Sequence, residues 1–400
     1  MASYRAVMSV PSARFRAMLM LHTSDWHLGR SLHRADLRAA QAAFLDHLVD
    51  TVRAEKVDVV LVAGDVYDRA VPPVDAVELC EDALLRLHAT GTRIVLISGN
   101  HDSARRLGFS SALIDAAGVH LRTSPGALED PVELEDEHGT VAVYGVPYLE
   151  PAVGLPDTAP HDPRPRGHAA VLRQAVARIR ADAARRGAAR TVVMAHAWVT
   201  GGAASDSERD ISLGGVGEVP AALFDGFSYV ALGHLHGQQT LSEHLRYSGS
   251  PLPYSFSEAT HRKGSWLVEL DAQGTKRAER VPAPTYRKLS LLRGRLADLL
   301  GSAAHQAQEQ DFVSVTLTDP VRPEGAMDAL RARFPYVLVL AFEPEGAGPD
   351  ARSYTTRVAG RDDQAIAAEF VQHVRNAPAT EGERRLLAAA FEAVRLGEAG

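Results

Sequence analysis

The chain has 400 residues, room for two or three domains at about 150 residues each. Hydrophobic residues make up 46% and charged residues 23%, which excludes a mostly disordered chain, a fibrous repeat and a disulfide-stapled mini-protein. The net charge of −7 excludes nucleic-acid binding by bulk charge, so any such contact must be local, metal-assisted or shared with a partner, and the single cysteine excludes an internal disulfide.

That cysteine, Cys80, sits in a helical pattern beside Leu79 and reads as a small core residue in a reducing compartment. No apolar run approaches the ~20 residues needed to cross a bilayer, and the N-terminus lacks an uninterrupted apolar segment of signal-peptide type. The chain therefore reads as cytoplasmic. Residues 1–17 read as a disordered extension or a mis-called start.

Taken in chain order, short apolar runs alternate with longer helical patterns. Met18–His22, Val57–Ala63, Arg93–Ser98, Thr191–Ala195 and Tyr229–Leu232 read as buried strands, each rich in Val, Ile or Leu and ending at Gly or a polar residue. Ala35–Lys56 and Val74–Thr90 read as helices between them, which predicts an α/β layered domain. Leu149–His168, with five prolines, and the Gly/Ser-rich stretch Thr200–Gly217 read as loops. From about Val281 the character changes. Leu289–Leu300 and Pro323–Phe334 read as helices, with Phe312–Leu317 and Tyr336–Phe342 as strands, making a small α+β unit. A linker over 346–361 follows, then two amphipathic helices. Ile366, Phe370 and Val374 line the first; Leu387, Phe391 and Val394 line the second, which opens on a capping box, Thr380-Glu-Gly-Glu383.

Each of the five strand-like runs ends in a potential metal ligand: Asp25 and His27, Asp65, Asn100, His196, and then His234 and His236. A lone histidine at a strand end is usually a hydrogen-bonded structural residue. Five strand ends all delivering Asp, Asn or His to one edge of a sheet, where α/β sites form, weaken that bland reading sharply. Oxygen and imidazole donors without thiolate suit Mn, Fe, Mg or Zn in an open site. Seven donors are too many for one four-coordinate ion and about right for two ions sharing a carboxylate, the arrangement that activates water and clamps both oxygens of an in-line phosphoryl displacement.

These residues resemble the calcineurin-like metallophosphoesterase superfamily, whose motifs D-x-H, G-D-x-x-D, G-N-H-D/E, H and G-H-x-H are all present in order. Within it the chain resembles the nuclease subunits of bacterial SbcCD-type complexes and their archaeal and eukaryotic double-strand-break relatives. The stretches that carry this are His22-Thr-Ser-Asp-Trp-His-Leu-Gly-Arg30, Gly64-Asp-Val-Tyr-Asp68, Ser98-Gly-Asn-His-Asp102, Tyr229-Val-Ala-Leu-Gly-His-Leu-His236 and Tyr247-Ser-Gly-Ser-Pro251. Archaeal relatives carry a histidine where this chain has Asp68, so it follows the bacterial pattern.

The resemblance implies a four-layer metallophosphoesterase β-sandwich flanked by helices over 18–283, a small α+β DNA-capping domain over 284–345 and a helical partner-binding segment over 362–400. It implies that Asp25, His27 and His236 hold one metal, that Asn100, His196 and His234 hold the other, and that Asp65 bridges them. His101 would stabilise charge on the phosphate or protonate the leaving 3′ oxygen. Asp102 would orient His101 or cap a helix. It further implies two divalent ions, Mn²⁺ with Mg²⁺ as the alternative. The expected partners are DNA, a second copy and an SbcC-type coiled-coil ATPase gripped by the C-terminal helices. The expected activities are 3′→5′ duplex exonuclease and single-strand or hairpin endonuclease, nucleoid-associated, in repair, recombination and replication. Arg30, His33 and Arg34 are either phosphate contacts or solvated charges, and Ser205–Arg209 is either a groove lining or a polar loop. Ala39–Val52 is a candidate dimer helix. Two other readings compete: a phosphodiesterase of the same superfamily acting on a small nucleotide, and a non-catalytic scaffold for DNA ends and the ATPase.

Overall fold

In the computed structural model the described residues are 16–151, 153–155, 167–208, 218–345, 363–375 and 378–398. Most of the expected N-terminal extension, all of the expected linker and parts of both expected loops lie outside them. The chain divides into two compact units. The first runs to Leu292 and takes in Ala304–Ser314 and Arg333–Val339; the second comprises Arg293–Ala303, Val315–Ala332 and the chain from Leu340.

The first unit holds two six-stranded sheets. One is built on β1 (Met18–Thr23), β2 (Val59–Ala63), β3 (Arg93–Ile97) and β4 (Val119–Leu121), which run parallel in that order. It is extended beyond β1 by two antiparallel strands, β11 (Gly264–Asp271) and β12 (Gly274–Pro282). The other also has six strands. Its parallel centre is β6 (Gly139–Val146), β7 (Arg190–His196), β8 (Tyr229–Gly233) and β10 (Leu245–Tyr247), edged by β5 (Val132–Asp136) and β9 (Gln239–Thr240).

Strand alternation explains how these sheets stack. Met18, Met20, Val59, Leu61, Val95 and Ile97 face Val143, Val192, Met194 and Tyr229 of the second sheet in one buried cluster. The intervening residues Leu19, Leu21, Val60, Val62, Ile94 and Leu96 face the other way, onto helices α1 (Arg38–Glu55) and α2 (Val74–His88). On the second sheet Tyr144, Val193, Ala195, Val230 and Leu232 face α5 (His168–Arg186). Helix, sheet, sheet and helix make four layers. Strands buried on both faces read as continuous apolar runs, which is why the sequence displays them plainly. Two short helices, α3 (Ala104–Leu107) and α4 (Ser111–Ile114), follow β3. The apolar face of α1, including Phe44, Leu48 and Val52, is committed to the first sheet.

A third sheet has the order β13 (Leu289–Gly294), β14 (Phe312–Leu317), β15 (Val337–Phe342). The helix expected over Leu289–Leu300 is corrected here: its first half is β13, and only α6 (Leu296–Gly301) is helical. Arg295 is extended at φ −73°, ψ 147°, and the first helical amide, Leu296 N, is satisfied by Asp319 Oδ2 at 2.9 Å. The helix expected from Pro323 is α7 (Ala326–Arg333). Two terminal helices, α8 (Asp363–Arg375) and α9 (Glu381–Glu398), pack on each other. At the start of α9 the capping box closes: Thr380 N donates to Glu383 Oε2 at 2.7 Å and Glu383 N to Thr380 Oγ1 at 3.4 Å. Among the described residues no helix is long and apolar enough to cross a membrane.

Candidate metal centre

The loops leaving β1, β2, β3, β7 and β8 converge. The β1 and β2 loops are stitched by backbone bonds, Asp25 N to Gly64 O (3.0 Å), His27 N to Asp65 O (3.0 Å) and Leu28 N to Val66 O (2.9 Å). The β7 loop joins them through His196 Nδ1, which donates to Ala63 O at 2.9 Å. The glycines of the motifs allow this crowding. A Cβ on Gly64 (φ +91°) would lie 2.5 Å from His196 Nδ1, and one on Gly99 would lie 2.1 Å from Asp65 Oδ1. Four of the seven sequence-derived ligands, Asp25 (φ 52°), His27 (φ 45°), Asp65 (φ 49°) and His234 (φ 103°), hold positive φ without being glycine. Each such residue costs about 1–3 kcal/mol, strain that clusters where a site must be shaped.

All seven predicted ligands come together, in two groups that meet at Asp65. In the first, one ligand atom each from Asp25, His27 and His236 lie within 4.8 Å of one another. The Nε2 atoms of His27 and His236 are 3.1 Å apart, and Asp65 Oδ2 is 3.6 Å from His27 Nε2. In the second, Asp65 Oδ2 is 3.5 Å from His196 Nε2, while Asn100 Oδ1 lies 2.9 Å from His196 Nε2 and 3.2 Å from His234 Nδ1. Every one of these side chains except Asn100 is almost fully buried.

The electrostatics belong to a cation site. Burial pushes the Asp25 carboxyl up to about 6, with His196 and His236 opposing. Burial works the same way on Asp65, yet the imidazoles of His196, His27 and His101 hold it well below the usual carboxylate range. Burial drives His27 and His234 well below the ordinary histidine value, leaving them neutral and able to donate lone pairs. His196 goes the other way: burial lowers it, but Asp65 and Asp25 raise it to about 9. Two ring nitrogens in contact beside two buried carboxylates make a donor set that fits divalent cations. Asp25, His27 and His236 would hold one ion, Asn100, His196 and His234 the other, with Asp65 reaching both. When bound, such ions supply charge for phosphoryl oxygens and lower the pKa of water.

His101 stands beside the cluster. Its backbone N donates to Asp65 Oδ1 at 2.8 Å, and its ring centroid is 4.6 Å from that of His27. Its Nδ1–H donates to the Asp68 carbonyl at 2.8 Å, which fixes the tautomer. The expectation for Asp102 is corrected. Its Oδ2 accepts from Gly99 N (2.9 Å) and Val66 N (3.1 Å) and its Oδ1 from Tyr67 N (2.9 Å), so it clamps the β2 and β3 loops together. It neither orients the His101 ring nor caps α3, whose N-cap position is Ser103. Burial, followed by the nearby Asp65 charge, raises Asp102 to about 7.

Arg30 Nη2 donates to Ser207 O at 2.7 Å and its guanidinium lies 5.0 Å from the Tyr254 ring centroid, so this charge helps build the wall of the site. His22 is structural: Nδ1 meets Tyr229 OH at 2.9 Å, Nε2 meets Leu232 O at 3.1 Å, and burial lowers it to about 3. Cys80 is a buried core residue, as expected. Of Ser205–Arg209, Arg209 is outside the described residues and Asp206 is exposed, while Ser207 and Glu208 turn inward. Glu208 Oε1 accepts from His236 N at 2.7 Å, and Ser207 Oγ is 2.6 Å from His236 Nδ1. Beneath them Glu258, fully buried, pairs with Lys263. No local pattern in the sequence gives these four residues a role, because each reaches His236 from 22 to 29 positions away.

Strand-end Asp, Asn and His ligands on a four-layer α/β/β/α sandwich define a metal-dependent phosphoester hydrolase. The sequence model of the calcineurin-like phosphoesterase family matches residues 18–238, more than half of the chain, and the chain belongs to that family. Among solved structures it is similar to TT1561 of Thermus thermophilus (12% identity, covering 66% of this chain and 99% of that one, TM-score 0.38). It is similar also to a dimetal phosphatase from Danio rerio (14% identity, 67% and 98% covered, TM-score 0.42).

Proposed function

We propose that this chain is the nuclease subunit of an SbcCD-type complex, hydrolysing DNA phosphodiesters with two divalent ions, Mn²⁺ preferred. In that reading it is a 3′→5′ exonuclease on duplex ends and an endonuclease on single strands and hairpins, driven by ATP through a coiled-coil ATPase, in DNA repair, recombination and replication. Asp25, His27, Asp65, Asn100, His196, His234 and His236 are the metal ligands, and His101 carries the proton or charge at the leaving oxygen.

The observation that carries DNA over a small nucleotide is the amount of chain beyond the phosphoesterase match. Past residue 238 the chain adds a three-stranded sheet with its helices, suited to capping DNA, and two amphipathic helices, α8 and α9. A small-nucleotide enzyme has no evident use for them. Leu386 (73% exposed) on α9 supports docking of an ATPase coiled coil. Exposed Leu85, Phe109 and Leu113 support a homodimer built near α2 and the short helices after β3.

The test is cleavage of end-labelled linear duplex by the purified chain with Mn²⁺. The wild type should release nucleotides from 3′ ends. Asp65→Ala should abolish this while retaining the wild-type circular dichroism spectrum. Turnover of cyclic nucleotides with no action on DNA would instead establish the small-nucleotide reading.

A further inference from the structure

We infer that Ser207 and Glu258 are positioning residues for His236, fixing the proton on its Nδ1 so that Nε2 presents a lone pair toward His27 and Asp25. The inference rests on the reading of His236 as a metal ligand.

The geometry forms one directed chain. His236 Nδ1 lies 2.6 Å from Ser207 Oγ and 3.4 Å from Glu258 Oε1. The Ser207 hydroxyl in turn donates to Glu258 Oε1. A carboxylate only accepts, so the hydroxyl hydrogen is committed to Glu258, and Ser207 Oγ is left to accept from His236 Nδ1–H. The carboxylate of Glu258 is paired with the Lys263 ammonium. Lys263 Nζ pairs with Glu258 and donates to His236 O and Ser250 Oγ, each at 2.8 Å. The same buried pair therefore grips the ring of His236 through Ser207 and its backbone through Lys263. Glu258 and Lys263 have side-chain exposures of 0% and 8%, so the arrangement is shielded from water and expensive to bury unless it is needed where it stands. Partners of this kind set ring orientation and ligand basicity, and losing them costs about 10–100-fold in metal affinity.

The experiment is calorimetric titration of the metal-free protein with Mn²⁺, alongside thermal melting in EDTA. Ser207→Ala should weaken the tighter or the weaker Mn²⁺ event about 10–100-fold with a small change in the EDTA melting midpoint. Ser207→Thr, which keeps the hydroxyl, should restore the affinity. Glu258→Gln alone leaves Lys263 buried and unpaired, so the double variant Glu258→Gln with Lys263→Met is used, and it should show the same weakening. In a His236→Ala background Ser207→Ala should add nothing. A purely structural role would lower the EDTA midpoint and leave Mn²⁺ affinity unchanged, which overturns the inference while His236→Ala still weakens binding. Unchanged binding in His236→Ala itself would overturn the ligand assignment, and this inference with it.

Discussion

The Nε2 atoms of His27 and His236 face each other at 3.1 Å across 209 positions of sequence. Both rings are buried, and burial keeps His27 neutral. Two imidazole nitrogens meeting this way beside Asp25 and Asp65 need a cation or a shared proton between them. A metal bound between them would stabilise the fold: a ligand at 100 times its Kd contributes about 2.7 kcal/mol. Saturating Mn²⁺ should raise the melting midpoint of the EDTA-treated protein by several degrees, read by calorimetry. Coincident melts with and without metal would contradict this.

His101 is held by its own backbone and by the Asp68 carbonyl, and its ring lies edge-on to that of His27. His101→Gln should lower the turnover rate about 10²–10⁴-fold, the range for a lost general acid, with Mn²⁺ affinity near wild type. Single-turnover kinetics beside calorimetric titration separates the two. A loss of metal binding equal to the loss of rate would make His101 a ligand instead.

Asp102 works on stability. Its carboxylate satisfies three backbone amides from two loops. Leaving a buried donor unsatisfied costs about 1–3 kcal/mol. Asp102→Ala should reduce unfolding free energy by about 3 kcal/mol or more, measured by urea denaturation. A variant of wild-type stability that is catalytically dead would return Asp102 to the chemistry.

Much of the site is legible in the sequence because each ligand follows a strand buried on both faces, and such strands announce themselves as apolar runs. The role of Asp102 is not legible, since its partners Val66 and Tyr67 lie 36 and 35 positions away. Strands β11 and β12 are also silent. β12 carries Lys276, Arg277, Glu279 and Arg280 and exists by pairing with β11, which pairs with β1 about 250 positions earlier (Met18 opposite Leu270). The misread segment Leu289–Leu300 has leucines at 289, 291, 292, 296, 299 and 300 that fit either period, and long-range pairing within the third sheet decides for a strand at its start.

Asp136 joins the two sheets of the first unit: its carboxylate accepts from Met18 N on β1 (2.8 Å) and from Arg190 Nη1 (2.8 Å) and Nη2 (2.5 Å) on β7. Burial would raise its pKa, but Arg190 and the amides of His138 and Met18 hold it below the ordinary aspartate value. With the folded pKa depressed, the stabilisation is present above the unfolded value near 3.8 and is lost as pH falls through the folded value. Asp136→Asn should cost about 3 kcal/mol at pH 7 and should flatten the decline in stability below about pH 4. Denaturation at a series of pH values checks this. Parallel pH profiles for the two proteins would show that Asp136 contributes no linkage.

Asp65 lies where its carboxylate would reach two cations at once. Anomalous diffraction from crystals soaked in Mn²⁺ measures that directly. Two peaks about 3.5–4 Å apart are expected, one among Asp25, His27 and His236, the other among Asn100, His196 and His234, with the Asp65 carboxylate between them. A single peak, or two peaks that do not share Asp65, would contradict it.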